Sequence, residues 1–220
     1  MTVQQLEQKE GFWHRPGTSD LVSISDTRKM FQKEAAVSAG DVVLDLGAHI
    51  GTFTARALAA GATRVRAVEP VPDNTALFKR NVDDPRVELW EGAAWVSELG
   101  LETIYLVDLE KNKGTDSHSM IVKRGRIPLV VQTWSLAELC AGLDPTFIKI
   151  DIEGGEYGLD LESIPESCDR LFVEWHFKHK GNREHAERAS AQLAAEQGFR
   201  RIWGSRWSEK AWWVEEMFVR

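Results

Sequence analysis

The chain has 220 residues, of which 43% are hydrophobic and 28% charged, so its length and composition fit one globular domain with a sizeable core. Its formal net charge of -7 argues against a dedicated nucleic-acid surface. The apolar runs are shorter than the ~20 residues of a membrane span, and the polar N-terminus lacks the features of a secretory signal. Cys140 and Cys168 form no CxxC pair, so we expect reduced cysteines in a cytoplasmic protein.

Short apolar segments predict strands that alternate with helices. Helices are predicted at 52–60 and 72–82, between the first three strands, and at 182–198, before a closing hairpin. The predicted sheet strands are 41–47, 64–70, 86–95, 146–154, 170–177, 199–204 and 211–219. This order is typical of an α/β fold. A doubly wound sheet binds its ligands at the carboxyl ends of its strands.

Two regions depart from the alternation. Residues 100–133 predict an inserted β excursion, with strands at 102–109 and 127–133 around a polar, mobile stretch at 110–120. A short helix at 135–142 follows, for which Ser135 and Glu138 form a predicted capping box.

We divide the chain into an N-terminal lead-in, residues 1–40, and a single catalytic domain, residues 41–220. The stretch 12–20, FWHRPGTSD, is read either as a surface loop or as a lid over a bound cofactor. In the second reading, Arg15 pairs with a carboxylate.

The stretch VVLDLGAHIGTF, residues 42–53, predicts a strand that turns into a helix through two glycines. Gly47 and Gly51 would let a ligand approach the backbone and the helix N-terminus. The spacing differs from the dinucleotide fingerprint G-x-G-x-x-G, and His49 stands where that pattern needs a glycine beside a pyrophosphate. A structural turn alone would not call for Asp45 in a buried strand, where an unpaired carboxylate is costly.

Further along, Glu69 ends the second strand, 22 residues beyond Gly47. An acid in this position can accept hydrogen bonds from both hydroxyls of a ribose, or it can simply face water. Small residues after the third strand, Gly92 and Ala93, leave room for a flat ring. The predicted cofactor-binding residues are Asp45, Gly47, Ala48, His49, Gly51, Phe53, Glu69, Pro70, Gly92, Ala93 and Asp151.

In the fourth strand, IKIDIEGGE, charged residues alternate with isoleucines. The period of two places Lys149, Asp151 and Glu153 on one face. One interpretation is a structural Lys–Asp pair, and the other is a catalytic rim of Asp151 and Glu153 at the strand end.

The fifth strand ends with Glu174 and His176 on a shared face. If strands four and five are neighbours, His176 lies beside Asp151 and Glu153, and it is the predicted general base. Asp151, Glu174 and His176 could instead hold a divalent metal, which we do not favour. An exposed strand-end histidine is the third interpretation.

These segments resemble the FkbM family of class I S-adenosylmethionine-dependent methyltransferases. The resemblance rests on VVLDLGAHIGTFT, AVEPVPDNTALFKRNV and above all FIKIDIEGGE. It implies a Rossmann-like seven-stranded, mostly parallel sheet with an antiparallel last strand and helices on both faces. It further implies that Asp45 and Gly47 line the amino-acid part of S-adenosylmethionine and that Glu69 binds its ribose. His49 departs from the asparagine that is more frequent in the family.

The resemblance implies methylation of a hydroxyl on a small natural product or sugar. We expect a small-molecule acceptor of sugar or polyketide type and no membrane or nucleic-acid partner. The sequence is compatible with either a monomer or a homodimer. Three alternatives remain at this point: an N-methyltransferase acting on a small molecule or peptide, a nicotinamide-dependent oxidoreductase, and a non-catalytic binding protein.

Overall fold

The computed structural model describes residues 5–96, 100–107, 114–115, 118, 126–177, 182–205 and 211–220. The lead-in contains a small antiparallel hairpin of β1 (Glu7–Lys9) and β2 (Phe12–His14), followed by helix α1 (Asp20–Met30). The lead-in is therefore more regular than the loop or lid predicted for 12–20. The division of the chain at residue 40 stays a prediction.

The first half of the main sheet follows the predicted alternation. Its elements are β3 (Val42–Leu46), α2 (Thr52–Ala59), β4 (Arg64–Val68), α3 (Pro72–Asn81) and β5 (Val87–Trp90). Pro72 begins α3, where its missing N–H costs no helical hydrogen bond.

The predicted β excursion is a separate sheet of three strands. Its members are β6 (Ala93–Ala94), β7 (Leu101–Leu106) and β8 (Ile127–Trp134), with β8 in the middle. β7 and β8 correspond to the two predicted strands and pair antiparallel, and β6 pairs parallel with β8. Helix α4 (Leu136–Cys140) follows with both hydrogen bonds of the predicted capping box.

The second half of the main sheet contains the two strands that carry the predicted catalytic residues. Its elements are β9 (Phe147–Ile150), β10 (Arg170–His176), α5 (Asn182–Glu196), β11 (Arg200–Gly204) and β12 (Trp213–Val219). Two short 3-10 turns, 155–158 and 161–163, connect β9 to β10.

The strand order of the main sheet is β11-β12-β10-β9-β3-β4-β5. The pairs β10–β9, β9–β3, β3–β4 and β4–β5 are parallel, whereas β12 runs antiparallel to both of its neighbours. This confirms the predicted seven-stranded α/β sheet with an antiparallel last strand. It also makes β9 and β10 neighbours, so the ends that carry Asp151 and His176 are adjacent.

Side chains that alternate along the buried strands pack into two hydrophobic cores, one on each face of the sheet. Leu44 and Ile150 pack on the face covered by α4 and α5, whereas Val43 and Phe147 pack on the face covered by α1 and α2. Asp45, Lys149 and Glu174 share the second face by strand alternation, at its carboxyl end. Within the described part of the chain, no helix is long and apolar enough to cross a membrane.

Candidate functional site

A cleft opens at the carboxyl ends of the central strands, where a doubly wound sheet binds ligands. Its wall comprises the loop after β3, the ends of β4 and β9, the segment around β6, and one side of α1. The predicted cofactor residues on this wall are Gly47, Ala48, His49, Phe53, Glu69, Pro70, Gly92, Ala93 and Asp151. The structure therefore brings together residues that are up to about a hundred positions apart in sequence.

Gly47 lies where the chain leaves β3 and meets the segment after β9. Its φ of +81° is in the left-handed region, and an added Cβ would lie 1.8 Å from the Asp151 carbonyl oxygen. No side chain fits between these two backbones. Glycine at this position is thus required by close packing of the loop against β9.

Replacing Gly47 by alanine is expected to abolish cofactor binding and to destabilise the fold. The left-handed backbone alone costs about 1–2 kcal/mol for alanine, and the contact with Asp151 forces the loop away from β9. Thermal unfolding and calorimetric titration with S-adenosylhomocysteine measure both effects. Gly142→Ala is the matched control, because its φ is +66° but no atom lies within 4 Å of the added Cβ. Equal losses in the two variants would contradict this account.

Asp45 and Gly51 are not part of the described wall of the cleft. Asp45 is fully buried, where its carboxylate accepts a hydrogen bond from Thr54 Oγ1 at 2.7 Å and lies 3.3 Å from Lys149 Nζ. Gly51, with φ +87°, is the N-cap of α2. In the structure, both residues support the loop from behind, and their contact with a cofactor stays a prediction.

Lys149 is buried between two carboxylates and two backbone carbonyl groups. Its ammonium donates to the carbonyls of Leu46 and Gly47 and lies 3.4 Å from Asp151 Oδ2. Burial alone would lower the pKa of Lys149, but Asp151 and Asp45 outweigh it and raise the pKa to about 12. The structural Lys–Asp pair is therefore present, and it fixes Asp151 beside the glycine loop.

Glu69 holds the glycine loop to the start of α3. One carboxylate oxygen accepts from the His49 N–H at 2.9 Å, and the other accepts from the Val71 N–H and from Asn74 Nδ2, each at 3.0 Å. The side chain reaches the cleft wall, although the residue is only 4% exposed. A ribose would have to use the lone pairs that these donors leave.

The lead-in is tied to the same loop through a buried ion pair. Arg15 donates to both oxygens of Asp20 at 2.9 Å and to Asn74 Oδ1 at 2.6 Å. The predicted pairing of Arg15 with a carboxylate is thus present. His49 Nε2 lies 3.2 Å from Asp20 Oδ1, and its Nδ1 lies 3.0 Å from Ser23 Oγ. Burial raises the pKa of Asp20, but His49 and Arg15 lower it well below its usual value.

Helix α1 supplies wall residues that the sequence did not suggest. Its cleft-facing side chains are Val22, Ser23, Asp26, Thr27 and Met30. They line the cleft together with residues at the ends of β9 and β10, such as Lys149 and Glu174. Of the predicted polar stretch 110–120, only Gly114, Thr115 and His118 lie within the described residues, and His118 lines the cleft.

The segment after β9 carries the predicted rim. Asp151 and Glu153 both line the cleft. Glu153 adopts a φ of +55° and Gly154 a φ of +100°, so two consecutive left-handed residues form the turn. The strand ends at Ile150, and the turn presents the two carboxylates to the cleft by its own geometry.

Glu174 is a titratable group on the cleft wall whose surroundings shift its pKa upward. It lines the wall with a 20% exposed side chain and faces Glu215 directly across strands β10 and β12. Burial raises its pKa first, and the neighbouring Asp151 carboxylate raises it further, to about 7, although His176 acts in the opposite direction. The sequence placed Glu174 near the site only as a metal-ligand alternative.

His176 does not have the surroundings of the predicted general base. It is 3% exposed, its Nδ1 lies 2.9 Å from Glu156 Oε1, and its Nε2 lies 3.2 Å from Glu174 Oε1 and 3.5 Å from Glu153 Oε1. Burial would lower its pKa, but the Glu156 and Glu153 carboxylates raise it well above its usual value. A ring that already carries its proton cannot accept another, so His176 is better described as the cation that holds these acids.

Asp151, Glu174 and His176 are close enough to share an ion, with one potential ligand atom of each within 4.8 Å of the others. Because His176 lies 3.2 Å from Glu174, a bound proton satisfies the same contact that a metal would. The metal alternative is thus geometrically available but has no need to be invoked.

The sequence profile of the methyltransferase FkbM domain matches residues 45–201. The chain belongs to the FkbM methyltransferase family. The match begins at Asp45 and ends in β11, so it includes the glycine loop, Glu69 and the turn after β9 but not α1. This FkbM-family chain is accordingly an S-adenosylmethionine-dependent methyltransferase, and the oxidoreductase alternative is set aside.

Solved structures share the fold of this FkbM-family chain at low sequence identity. An FkbM methyltransferase from Methylobacillus flagellatus KT has 18% identity and a TM-score of 0.51, over 85% of this chain and 45% of that one. A candidate RNA methyltransferase from Pyrococcus horikoshii has 15% identity and a TM-score of 0.50, over 90% of this chain and 84% of that one. Magnesium protoporphyrin IX methyltransferase from Synechocystis PCC 6803, solved with bound S-adenosylmethionine, has 10% identity and a TM-score of 0.52, over 92% and 80%. No curated protein sequence matches this chain.

Proposed function

We propose that the protein transfers a methyl group from S-adenosylmethionine to a hydroxyl of a small molecule of sugar or polyketide type, with Glu174 as the proton acceptor. The observation that carries the proposal is the position of Glu174. It is a carboxylate on the cleft wall, next to Asp151. A hydroxyl nucleophile must lose its proton during the transfer, and Glu174 can take it.

The residues of the cleft fit the proposed cofactor. Gly47, Ala48 and Gly92 line the cleft, Glu69 offers carboxylate oxygens for a ribose, and Asp151 offers negative charge for a sulfonium. When bound, S-adenosylmethionine supplies an activated methyl group on a positively charged sulfur. No catalytic metal or second cofactor is needed for that chemistry.

The side chains then have three tasks. Asp151, fixed by Lys149, places a carboxylate on the cleft wall. Glu174 accepts the acceptor's hydroxyl proton as the methyl group's bond to sulfur breaks and its bond to the acceptor oxygen forms, and it releases that proton to solvent after the product leaves. Helix α1 supplies another part of the wall and orients the acceptor. The pKa of Glu174, about 7, suits a base that works near neutrality.

Binding of S-adenosylhomocysteine, followed by a methyl-transfer assay on a library of sugars and macrolides, tests the proposal. We expect binding of S-adenosylhomocysteine but not of NADH, and transfer to a hydroxyl-bearing member of the library. Binding of NADH alone, or of neither ligand, would overturn it. Binding without turnover on any acceptor would favour the non-catalytic alternative.

Methylation of nitrogen is the second candidate, and one observation favours it. The described wall carries the acids Asp26, Glu69, Asp151, Glu153, Glu174 and Glu215, which would attract a protonated amine. Glu174 would then remove the ammonium proton before transfer. Mass spectrometry of the product after acid or base treatment separates O-methyl from N-methyl products.

We expect activity to be insensitive to metal chelation. His176 holds Glu174 in the place of a metal ion, so treatment with EDTA should change kcat by less than about twofold. The measurement compares turnover before and after EDTA and again after addition of Mg²⁺ or Mn²⁺. A loss that either ion restores would establish the metal alternative of Asp151, Glu174 and His176.

A further inference from the structure

We infer that Glu156 is a positioning residue that sets the catalytic carboxylate Glu174 through His176. The inference rests on the proposed function, because it concerns how the proton acceptor of that site is held. Glu156 is the last residue of the IKIDIEGGE segment and is 2% exposed. It is not among the described residues that line the cleft. Any effect on the reaction must therefore pass through its neighbours.

One oxygen of Glu156 organises the turn after β9. Oε1 accepts hydrogen bonds from the backbone N–H groups of Ile152 and Gly154, each at 3.2 Å. Between these residues lies Glu153, with its left-handed φ of +55°. A non-glycine residue in that region needs support from its surroundings. Glu156 supplies part of it, and in this way fixes the turn that presents Glu153 to the cleft.

The same oxygen holds the ring of His176 on β10, with a distance of 2.9 Å to Nδ1. With Nδ1 engaged, the opposite nitrogen, Nε2, points to Glu174 at 3.2 Å and to Glu153 at 3.5 Å. The next residue, Tyr157, donates its hydroxyl to the His176 carbonyl oxygen at 2.8 Å. Adjacent residues of one turn thus fix both the ring and the backbone of His176.

A chain of contacts follows from buried Glu156, through His176, to Glu174 on the cleft wall. If Glu156 loses its charge, the charge-assisted hydrogen bond to Nδ1 becomes an ordinary, weaker one, so the ring is held less firmly and Nε2 no longer fixes Glu174 toward the acceptor. Glu174 also faces the like-charged Glu215 and Asp151, so the freed carboxylate has reason to move away. If Glu156 had only a structural role, its replacement would lower stability and cofactor affinity and would not act selectively on kcat.

The substitution Glu156→Gln tests the inference, because glutamine keeps the size and the backbone-accepting oxygen but removes the charge. We expect S-adenosylhomocysteine affinity and the acceptor's KM to stay within about twofold, while kcat falls at least about tenfold. Glu166→Gln, an exposed position on the same connection, is the control and should leave kcat unchanged. A rise in KM or a loss of cofactor affinity with kcat retained would overturn the inference.

A double-mutant comparison separates this role from a general structural one. In a Glu174→Gln background, Glu156→Gln should lower kcat by less than about twofold further, because the group it positions is already gone. If the double variant instead loses kcat by the product of the two single-variant factors, the inference is contradicted.

Nitrogen-15 NMR of the His176 ring provides a readout that needs no acceptor. We expect protected N–H signals from the ring in the parent protein and their loss in Glu156→Gln. Unchanged ring signals would overturn the inference even if the protein were found to bind no S-adenosylhomocysteine. The absence of S-adenosylhomocysteine binding would contradict the proposed function and would leave the ring measurement unaffected.

Discussion

Replacing Glu174 by glutamine is expected to lower kcat by about 100- to 10,000-fold, the range that a positioned general base contributes. Affinity for S-adenosylhomocysteine should change little, because Glu174 is not one of the predicted cofactor-binding residues. Steady-state kinetics with the identified acceptor and calorimetric titration measure the two quantities. Retained turnover would remove Glu174 as the proton acceptor.

The pH profile gives the same residue a second test. Below its pKa of about 7, Glu174 is protonated and cannot accept a proton. We therefore expect kcat/KM, which reports the pKa of the free enzyme, to rise about tenfold per pH unit below pH 7 and to level off above it. In the glutamine variant this limb should disappear. A profile that keeps its limb in Glu174→Gln would assign the titration to another group.

Replacing Asp20 by asparagine is expected to destabilise the protein by about 3–5 kcal/mol, because it leaves the buried guanidinium of Arg15 without its partner. For a chain of this size, ~1 kcal/mol corresponds to about 2–4 °C in Tm, so the Tm should fall by about 6–20 °C. Thermal unfolding measures the shift. Cofactor affinity should fall as well, since Asp20 also lies 3.2 Å from His49 of the glycine loop.

Asp26→Asn is the matched control on the same helix. Asp26 pairs with Lys29, but its side chain is 52% exposed, and exposed pairs of this kind contribute about 0–1 kcal/mol. We expect a Tm change of less than about 4 °C. If Asp20→Asn is no more destabilising than Asp26→Asn, the Arg15–Asp20 pair does not stabilise the lead-in as we describe.

The sheet could be predicted from the sequence because its central strands are buried on both sides. Segments such as Val42–Leu46 and Phe147–Ile150 are almost continuously apolar, and glycine or proline bounds them. The capping box of α4 is equally local, since Ser135 and Glu138 are three residues apart. Patterns of this kind need no knowledge of tertiary contacts.

Helix α1 was missed for the opposite reason. Only Asp20, Ile24 and Met30 are buried along its length, so it shows no clear apolar stripe. It is held by the ion pair of Asp20 with Arg15 and by side-chain contacts to the glycine loop. Such contacts leave no periodic signal in a sequence.

The site illustrates the same limit. Spacing placed His176 beside Asp151 and Glu153, and the structure brings them together. Spacing could not show that Glu156, twenty residues away, would occupy Nδ1 and keep the ring charged. The proton acceptor therefore moves in our interpretation from His176 to Glu174, two residues earlier on the same face of β10.

Helix α1 lies before the part of the chain that matches the family profile, yet it forms one side of the cleft. Residues on its cleft side, such as Val22 and Met30, can therefore differ between relatives and change which acceptor is bound. The part of the cleft that lies within the profile, residues 45–201, would stay the same. Asp20 is the exception on this helix, because a substitution there would disturb His49 in that part. Among close relatives, we expect the cleft side of α1 to vary from one acceptor to the next, with the Arg15–Asp20 pair retained throughout.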